Sequence, residues 1–292
     1  MNSKAPDPLR SQTSGRFRGK AQGAFLNEEG ERLKQVLGTV LSNSQLRPST
    51  HLLYLQAPEI AAKAEPGQFV MVRTGEDHEP LLRRPLAVHR VSPLSRASEL
   101  SLLFSVVGRG TEWLARRAPG DTIDLLGPLG NGFDVRAHDL LLVAGGIGIA
   151  PLVALADAAL AAGARVTLIL AAPTKNDLYP TEMLPSGVEL HLATEDGSAG
   201  EKALATDLLA DLASGFDQVF ACGPLAMYQA MSRDTSLKGK PVQVSLETRM
   251  GCGFGVCLGC AIETRHGMRL VCRDGPVFEL EDIVWAAVKG GH

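Results

Sequence analysis

Four cysteines crowd into the stretch Glu247–Cys272, read ETRMGCGFGVCLGCAIETRHGMRLVC, and no other feature constrains this chain as tightly. Cys252, Cys257, Cys260 and Cys272 are spaced C-x4-C-x2-C-x11-C. The first three match a run that wraps a [2Fe–2S] cluster, with a fourth thiolate supplied from further along. Gly251, Gly253, Gly255 and Gly259 lie between them. Such a cluster needs a tightly curled backbone whose N–H groups point at sulfur, and glycine reaches the left-handed dihedrals of that loop. The pattern predicts a [2Fe–2S] centre with these four cysteines as its metal ligands. A structural zinc site more often shows two C-x2-C pairs. Disulfides fit less well, because the cysteine count of 5 is odd and no secretory signal is evident.

A length of 292 residues suggests two or three domains, and 45% apolar content is enough for real cores. The net charge of −3 gives no reason to expect a nucleic-acid partner. The longest uncharged apolar run, Leu140–Ala156, is broken by glycines and Pro151 and is too short for a bilayer. We therefore expect a cytoplasmic protein with no membrane partner, in a reducing compartment that suits thiolate ligands. Residues 1–34 are rich in Ser, Gly, Arg and Lys and read as a mobile tail.

From Gln35 the pattern is one of short strands: Gln35–Ser42, His51–Gln56, Phe69–Arg73, Leu86–Ser92, Glu99–Val107 and Thr122–Leu126. Turn clusters separate them, and the set predicts a small closed β-barrel over residues 35–134. A short helix is expected at Thr111–Arg117, with Thr111 as its cap. Two segments carry charge or glycine where a core would not want them. Arg83-Arg84-Pro85-Leu86-Ala87 can present a guanidinium to a pyrophosphate, and Gly108-Arg109-Gly110-Thr111 offers free N–H groups. Together they favour a dinucleotide-sized ligand. Gly127–Phe133 reads as a linker or as a loop against a flat ligand, with composition favouring the linker.

The period then changes to alternating strands and helices over residues 135–241. Strands are expected at Leu140–Ala144, Arg165–Ala171, Val188–Ala193, Gln218–Ala221 and Val242–Leu246, and helices up to Ala162, at Glu201–Leu212 and at Pro224–Thr235. This predicts an α/β parallel-sheet nucleotide domain, with ligands at the C-terminal ends of its strands. Gly145-Gly146-Ile147-Gly148 is a strand–turn–helix phosphate seat with G-G-x-G spacing. Thr194–Ser198 and Cys222-Gly223-Pro224 fall at the same edge. Cys222 is either a buried small hydrophobe or a neighbour of the cofactor's reactive ring. Residues 242–292 are expected to form the small C-terminal [2Fe–2S] cluster domain.

From Leu37 onwards the chain resembles the ferredoxin–NADP reductase superfamily. More closely it is similar to the electron-transfer (iron–sulfur flavoprotein) subunits of NAD-dependent dihydroorotate dehydrogenases. The resemblance rests on Pro66–Val70, Arg84–Ala87, Gly108–Thr111, Gly127–Phe133, Gly145–Pro151, Thr194–Ser198, Cys222–Pro224 and, most specifically, Met250–Cys260. It implies FAD on the barrel. Arg84 would neutralise its pyrophosphate, Pro85, Leu86 and Ala87 would lie along the flavin, and Gly110 and Thr111 would seat phosphate. It implies NAD(H) on Gly145, Gly146 and Gly148, with Cys222, Gly223 and Pro224 beside the nicotinamide and Cys222 as the one candidate catalytic residue. The implied function is electron transfer between NAD and an FMN-containing dihydroorotate dehydrogenase catalytic subunit, in a heterotetramer of pyrimidine (UMP) biosynthesis. Phe254 and Leu258 would be partner contacts. The same modules also serve reductase components of oxygenases, hydrogenases or other dehydrogenases, and a zinc-stabilised nucleotide sensor is the alternative from another class. Ala87 stands where many relatives carry Ser or Thr. Ala171–Lys175 offers no carboxylate for a ribose hydroxyl, and Lys175 could tolerate a 2′-phosphate, so NAD over NADP rests on the resemblance alone.

Overall fold

The computed structural model describes residues 33–76, 79–92 and 99–288. The expectation for the tail therefore falls almost wholly outside the described residues.

Strands β1 (Gln35–Arg47), β2 (Thr50–Gln56), β3 (Phe69–Val72), β4 (Arg84–Ser92), β5 (Glu99–Ser105) and β6 (Thr122–Leu129) close into a barrel. Their order around it is β1-β2-β5-β4-β3-β6. Alternation drives the closure: β6 points Ile123, Leu125, Gly127 and Leu129 inward. Val40, Leu53, Leu55, Val70, Val72, Val88, Leu100, Leu102 and Phe104 fill the same interior. Helix α1 (Pro58–Ala61) and helix α2 (Arg109–Ala115) add Ile60 and Leu114 to this core. Gly108, not Thr111, precedes α2. Thr111 sits inside its first turn, where its Oγ1 accepts from the N–H groups of Val107 (2.9 Å) and Gly108 (3.2 Å) and donates to Gly108 O (3.0 Å). The residue closes the turn from within, which its sequence position alone does not reveal.

The second layer is a sheet ordered β10-β9-β8-β7-β11-β12-β15. Its strands are β7 (Asp139–Gly145), β8 (Arg165–Ala172), β9 (Glu189–Thr194), β10 (Glu201–Lys202), β11 (Gln218–Cys222) and β12 (Val242–Ser245). All of these pair in parallel. Helices α3 (Ile149–Ala161), α4 (Ala205–Leu212) and α5 (Leu225–Met231) connect them. The helix expected from Glu201 starts only at Ala205, because Glu201–Lys202 joins the sheet edge and Asp207 Oδ2 accepts from the Leu204 N–H at 2.8 Å. The helix expected to reach Thr235 stops at Met231, and Asp234 caps a separate turn at Thr235–Leu237 through the Ser236 N–H.

The last segment contributes a hairpin, β13 (Ala261–Thr264) with β14 (Gly267–Leu270), and the short helix α6 (Val271–Asp274). Strand β15 (Val277–Glu279) then returns to pair antiparallel with β12. Gly127–Leu129 extends β6. The residues after it pack on this segment: Asn131 N–H donates to Gly275 O at 2.7 Å, and a Cβ at Gly130 would stand 2.6 Å from that oxygen.

Barrel and sheet share a core. Leu52 and Leu103 point away from the barrel interior and pack with Leu140, Leu142, Ile149, Leu152 and Phe220. Helix α3 is apolar nearly all round because it is enclosed in this layer. Two polar links cross it. Arg90 on β4 pairs with Asp157 on α3. His89 is fully buried, with Nδ1 3.0 Å from Ser101 Oγ and Nε2 3.0 Å from the Tyr179 hydroxyl. Burial, helped by the adjacent Arg90, pushes His89 down from 6.5 to about 3.

His89 is thus neutral in the fold, while the unfolded chain binds its proton more tightly. Its contribution is fully present above pH 6.5 and declines as pH falls from there towards 3. In thermal melts, His89→Gln is expected to lower Tm at pH 7 and to shrink the Tm difference between neutral and mildly acid buffer. An unchanged difference would show that His89 does not carry it.

Candidate functional site

The strand order of the sheet reverses at β7, with β8 on one side and β11 on the other. Ligands of open α/β sheets lie at the C-terminal edge of such a switch point. A cavity of about 430 Å³ opens there. Gly145–Gly148, Ala171–Pro173, Glu195, Ala203–Thr206, Cys222–Pro224 and Glu247 line it. Glycine is required where two loops meet. A Cβ at Gly148 would overlap the Cys222 carbonyl, and one at Gly145 would stand 2.7 Å from Pro224 Cδ. Gly146 has φ +56° and open space around its Cβ position. So Gly145, Gly146, Gly148, Cys222, Gly223 and Pro224 converge, although they lie far apart in sequence.

Tyr228 fixes the Cys222–Gly223 loop from behind. Its hydroxyl accepts from the Gly223 N–H at 2.9 Å and donates to Ser245 O at 2.6 Å. Its ring stacks on Trp285 at 5.4 Å. The Cys222 residue is half-buried at the cavity wall, but its thiol is enclosed, and that burial pushes it up to about 12. The group therefore stays protonated at neutral pH. Sequence reasoning passed over Glu247. It lies two residues beyond the end of β12, and the rule that ligands sit at strand C-termini points to it.

A second cavity, of about 460 Å³, is walled by Arg233, Lys238, Lys240, Arg265, Glu279 and Glu281. It lies at the N-terminal start of β12, the wrong edge of the sheet for a nucleotide.

On the barrel, the adjacent arginines divide their work. Arg83 pairs in a fork with Asp124, at 2.7 and 3.0 Å. Arg84 pairs with no carboxylate among the described residues. Its Nη1 donates to Leu82 O at 2.6 Å, and its Nε and Nη2 face Gly110. A Cβ on Gly110 would stand 3.0 Å from Arg84 Nε and 2.7 Å from Thr74 Oγ1. That Thr74 hydroxyl is buried without a partner among the described residues. A guanidinium, an orphaned hydroxyl and a backbone without side chain make a seat that fits a phosphate group. Pro85, Leu86 and Ala87 continue along β4, paired with Met71, Val70 and Phe69 of β3.

The cysteines stand as two pairs. Cys260 Sγ is 3.2 Å from Cys272 Sγ, and the Cys257 thiol bonds that of Cys252. Backbone N–H groups converge on the sulfurs. Gly255 donates to Cys272 at 3.1 Å, Val256 and Cys257 to Cys252 at 3.3 and 3.5 Å, and Cys272 to Cys260 at 3.4 Å. Burial raises the Cys252 thiol, but the N–H groups of Cys257, Phe254 and Val256 outweigh it and bring it to about 7. The hydrogen bond the two thiols share brings Cys260 to about 6 and pushes Cys272 up. Among the described residues no three His, Cys, Asp or Glu side chains converge as on a single ion. Two thiol pairs backed by N–H donors are a donor set that could hold a two-iron cluster. Leu258 takes φ +59° between Cys257 and Gly259. It is 64% exposed and Val256 62%, whereas Phe254 is half-buried.

The cluster loop lies against the barrel strand that backs Arg84–Ala87. Gly253 is buried, and a Cβ there would overlap the Met71 side chain. Met71 is the β3 partner of Pro85.

Comparison with known proteins agrees with this geometry. The family described as the iron–sulfur cluster binding domain of dihydroorotate dehydrogenase B matches residues 247–284, and the oxidoreductase NAD-binding domain family matches residues 142–233. The chain is 37% identical over 254 residues to the dihydroorotate dehydrogenase B (NAD(+)) electron transfer subunit of Bacillus cereus (strain G9842), covering 84% of this chain and 96% of that protein. A solved NADH-dependent reduced ferredoxin–NADP oxidoreductase, studied for flavin-based electron bifurcation, is 32% identical with a TM-score of 0.78, covering 86% of this chain and 91% of that one. The ferredoxin reductase of carbazole 1,9a-dioxygenase shares the fold at 20% identity and a TM-score of 0.62, covering 73% and 69%. The chain belongs to the family of dihydroorotate dehydrogenase B (NAD(+)) electron transfer subunits.

Proposed function

We propose that this chain passes electrons between NAD(H) and the catalytic subunit of a dihydroorotate dehydrogenase, through FAD and a [2Fe–2S] cluster, in pyrimidine (UMP) biosynthesis. The observation that carries the reading is the contact of Gly253 with Met71. It puts the cysteine loop on the strand pair whose other member bears Arg84, Pro85, Leu86 and Ala87. Nucleotide cavity, barrel seat and cysteine loop thus follow one another across a single compact unit, Lys34–His292.

Arg84 binds the FAD pyrophosphate, with Gly110 and Thr111 admitting it by backbone, and Pro85, Leu86 and Ala87 line the ring system. Gly145, Gly146 and Gly148 take the NAD pyrophosphate at the start of α3. Cys222, Gly223 and Pro224 orient the nicotinamide, held by Tyr228. Cys252, Cys257, Cys260 and Cys272 ligate the cluster. A bound flavin supplies the exchange between two-electron hydride chemistry and single electrons. The protein's part is orientation and exclusion of water. No proton needs to be moved by Cys222, which keeps its own.

The catalytic partner carries FMN and docks over the cysteine loop, where Val256 and Leu258 are exposed, giving a heterotetramer. Among the described residues no helix is long and apolar enough to cross a membrane. The setting proposed here is cytoplasmic. The barrel has no repeated βα units to house dihydroorotate chemistry, so that reaction belongs to the partner. A second reading has one specific support, the 32% identity to the NADH-dependent reduced ferredoxin–NADP oxidoreductase. The name of that protein couples NADH to ferredoxin and NADP rather than to dihydroorotate.

Anaerobic titration with NADH is expected to bleach flavin and iron–sulfur bands together. NAD reduction by dihydroorotate should appear only when the catalytic subunit is added. Turnover of dihydroorotate by this chain alone would sink the first reading, and failure to couple to that subunit would favour the second. Cys257→Ser should lose iron and sulfide while NADH still reduces the flavin; full retention of both would remove Cys257 from the ligands. Arg84→Ala should weaken FAD binding by roughly ten- to a hundredfold, since a charge-assisted hydrogen bond contributes about 1.5–3 kcal/mol. Unaltered FAD affinity in equilibrium dialysis would place the pyrophosphate elsewhere.

A further inference from the structure

The second cavity, at the start of β12, lies outside the relay proposed above. Three separate segments enclose it: the run from the end of α5 to β12, the turn of the β13–β14 hairpin, and the residues from the end of β15 to Trp285. Arg265 N–H donates to Asp282 O at 2.7 Å and so ties the hairpin turn to the last of these. The floor is apolar, with Met231, Leu237, Val242, Leu280 and Ile283 all buried. The volume of about 460 Å³ lies in the range of small-ligand sites. One wall is a type II turn, Leu237–Lys240, closed by a bond from Lys240 N–H to Leu237 O at 3.1 Å. Lys238 has φ −61° and ψ 123° there, and Gly239 has φ +78°. The turn sets Lys238 and Lys240 on either side of Gly239, whose N–H has no partner among the described residues.

The charges of the wall are unevenly matched. Asp234 Oδ1 accepts from the Ser236 N–H at 2.8 Å. Glu279 Oε1 accepts from Gln243 Nε2 at 3.1 Å and pairs with Arg136 at 3.5 Å. Of the wall carboxylates, that leaves Glu281. Against it stand the guanidinium groups of Arg233 and Arg265 and the Lys238 ammonium. None of the three has a side-chain hydrogen bond or ion pair among the described residues. Lys240 uses one of its three donors on Phe216 O at 2.7 Å. A chain of net charge −3 thus gathers four cations around one hollow.

We propose that this cavity is a second binding site, for a compact phosphate-bearing anion. Two guanidinium forks, two ammonium groups and a free N–H match the several oxygens of a phosphate. Glu281 and the enclosing walls disfavour an extended polyanion such as a nucleic acid. The nucleotide cavity opens at the opposite edge of the same sheet, so the two sites are distinct.

The test is calorimetric titration of the cofactor-loaded protein with inorganic pyrophosphate and, separately, ribose 5-phosphate, at fixed ionic strength, with and without saturating NAD+. Binding of at least one probe is expected, and it should persist with NAD+ present. Pyrophosphate as the tighter ligand marks an inorganic anion; ribose 5-phosphate as the tighter marks an organic phosphate that also uses the apolar floor. Lys238→Gln combined with Arg265→Gln should weaken binding by about tenfold or more. Both side chains are exposed and unbonded among the described residues, so the fold is retained. Lys202→Gln, on β10 at the far edge of the sheet, removes a charge elsewhere and should change the affinity by less than about twofold. Failure of both probes to bind overturns the proposal, as does an unchanged affinity in the double variant. Loss of binding when NAD+ is added places the probe in the nucleotide cavity and overturns it too. Equal weakening by Lys202→Gln shows diffuse attraction of charge, with the same consequence.

Discussion

Close packing of the cysteine loop on strand β3 is the constraint on which the rest depends. Electron exchange between redox centres needs them near one another, and the cysteine loop of this chain reaches the barrel by leaving out a side chain. Gly253 has φ +85° and lies where any Cβ would strike Met71. The loop can therefore curl towards its own sulfurs and lie on the barrel at the same time. A second close approach, Gly130 and Asn131 against Gly275 and Pro276, anchors the far side of the segment. Between these contacts the cysteines have little freedom relative to the strand pair beneath them.

The nucleotide sheet is held to the barrel by different means. A mixed core through Leu52, Leu103 and α3 supplies the apolar area, and non-directional packing alone would leave the two layers free to slide. The His89–Tyr179 bond and the Arg90–Asp157 pair add direction. Both start on β4, the strand that opens with Arg84 and Pro85. One strand thus carries Arg84 at its beginning and the interlayer links further along.

Much of this was legible in the sequence because it depends on local chemistry. Period-two alternation marked the barrel strands, and the spacing of Cys252, Cys257 and Cys260 marked the loop. What was not legible depends on residues brought together from a distance. Gly127–Phe133 looked like a linker, and its true neighbour, Gly275-Pro276, lies far along the chain. Thr111 has the composition of a cap, but its partners are the N–H groups behind it rather than ahead. The Glu201–Lys202 strand is only two residues long and pairs solely with β9. Two adjacent arginines, Arg83 and Arg84, are indistinguishable in sequence, and only Asp124 on β6 tells them apart.

Strand β15 carries a consequence for how such a protein can be taken apart. The chain leaves the sheet after β12, builds the cysteine loop and hairpin, and then returns to cover the exposed edge of β12. Trp285, further along, stacks on Tyr228 behind the Cys222–Gly223 loop. The segment with the cluster is therefore woven into the nucleotide layer rather than appended to it. A chain cut after Leu246 would bare an unpaired parallel strand, an invitation to edge-to-edge association. It would also strip the support from the Cys222–Gly223 loop. The three parts read like beads on a string in the sequence, but the string is knitted back through them. Grafting the cluster segment onto another reductase would require carrying its edge strand and Trp285 along.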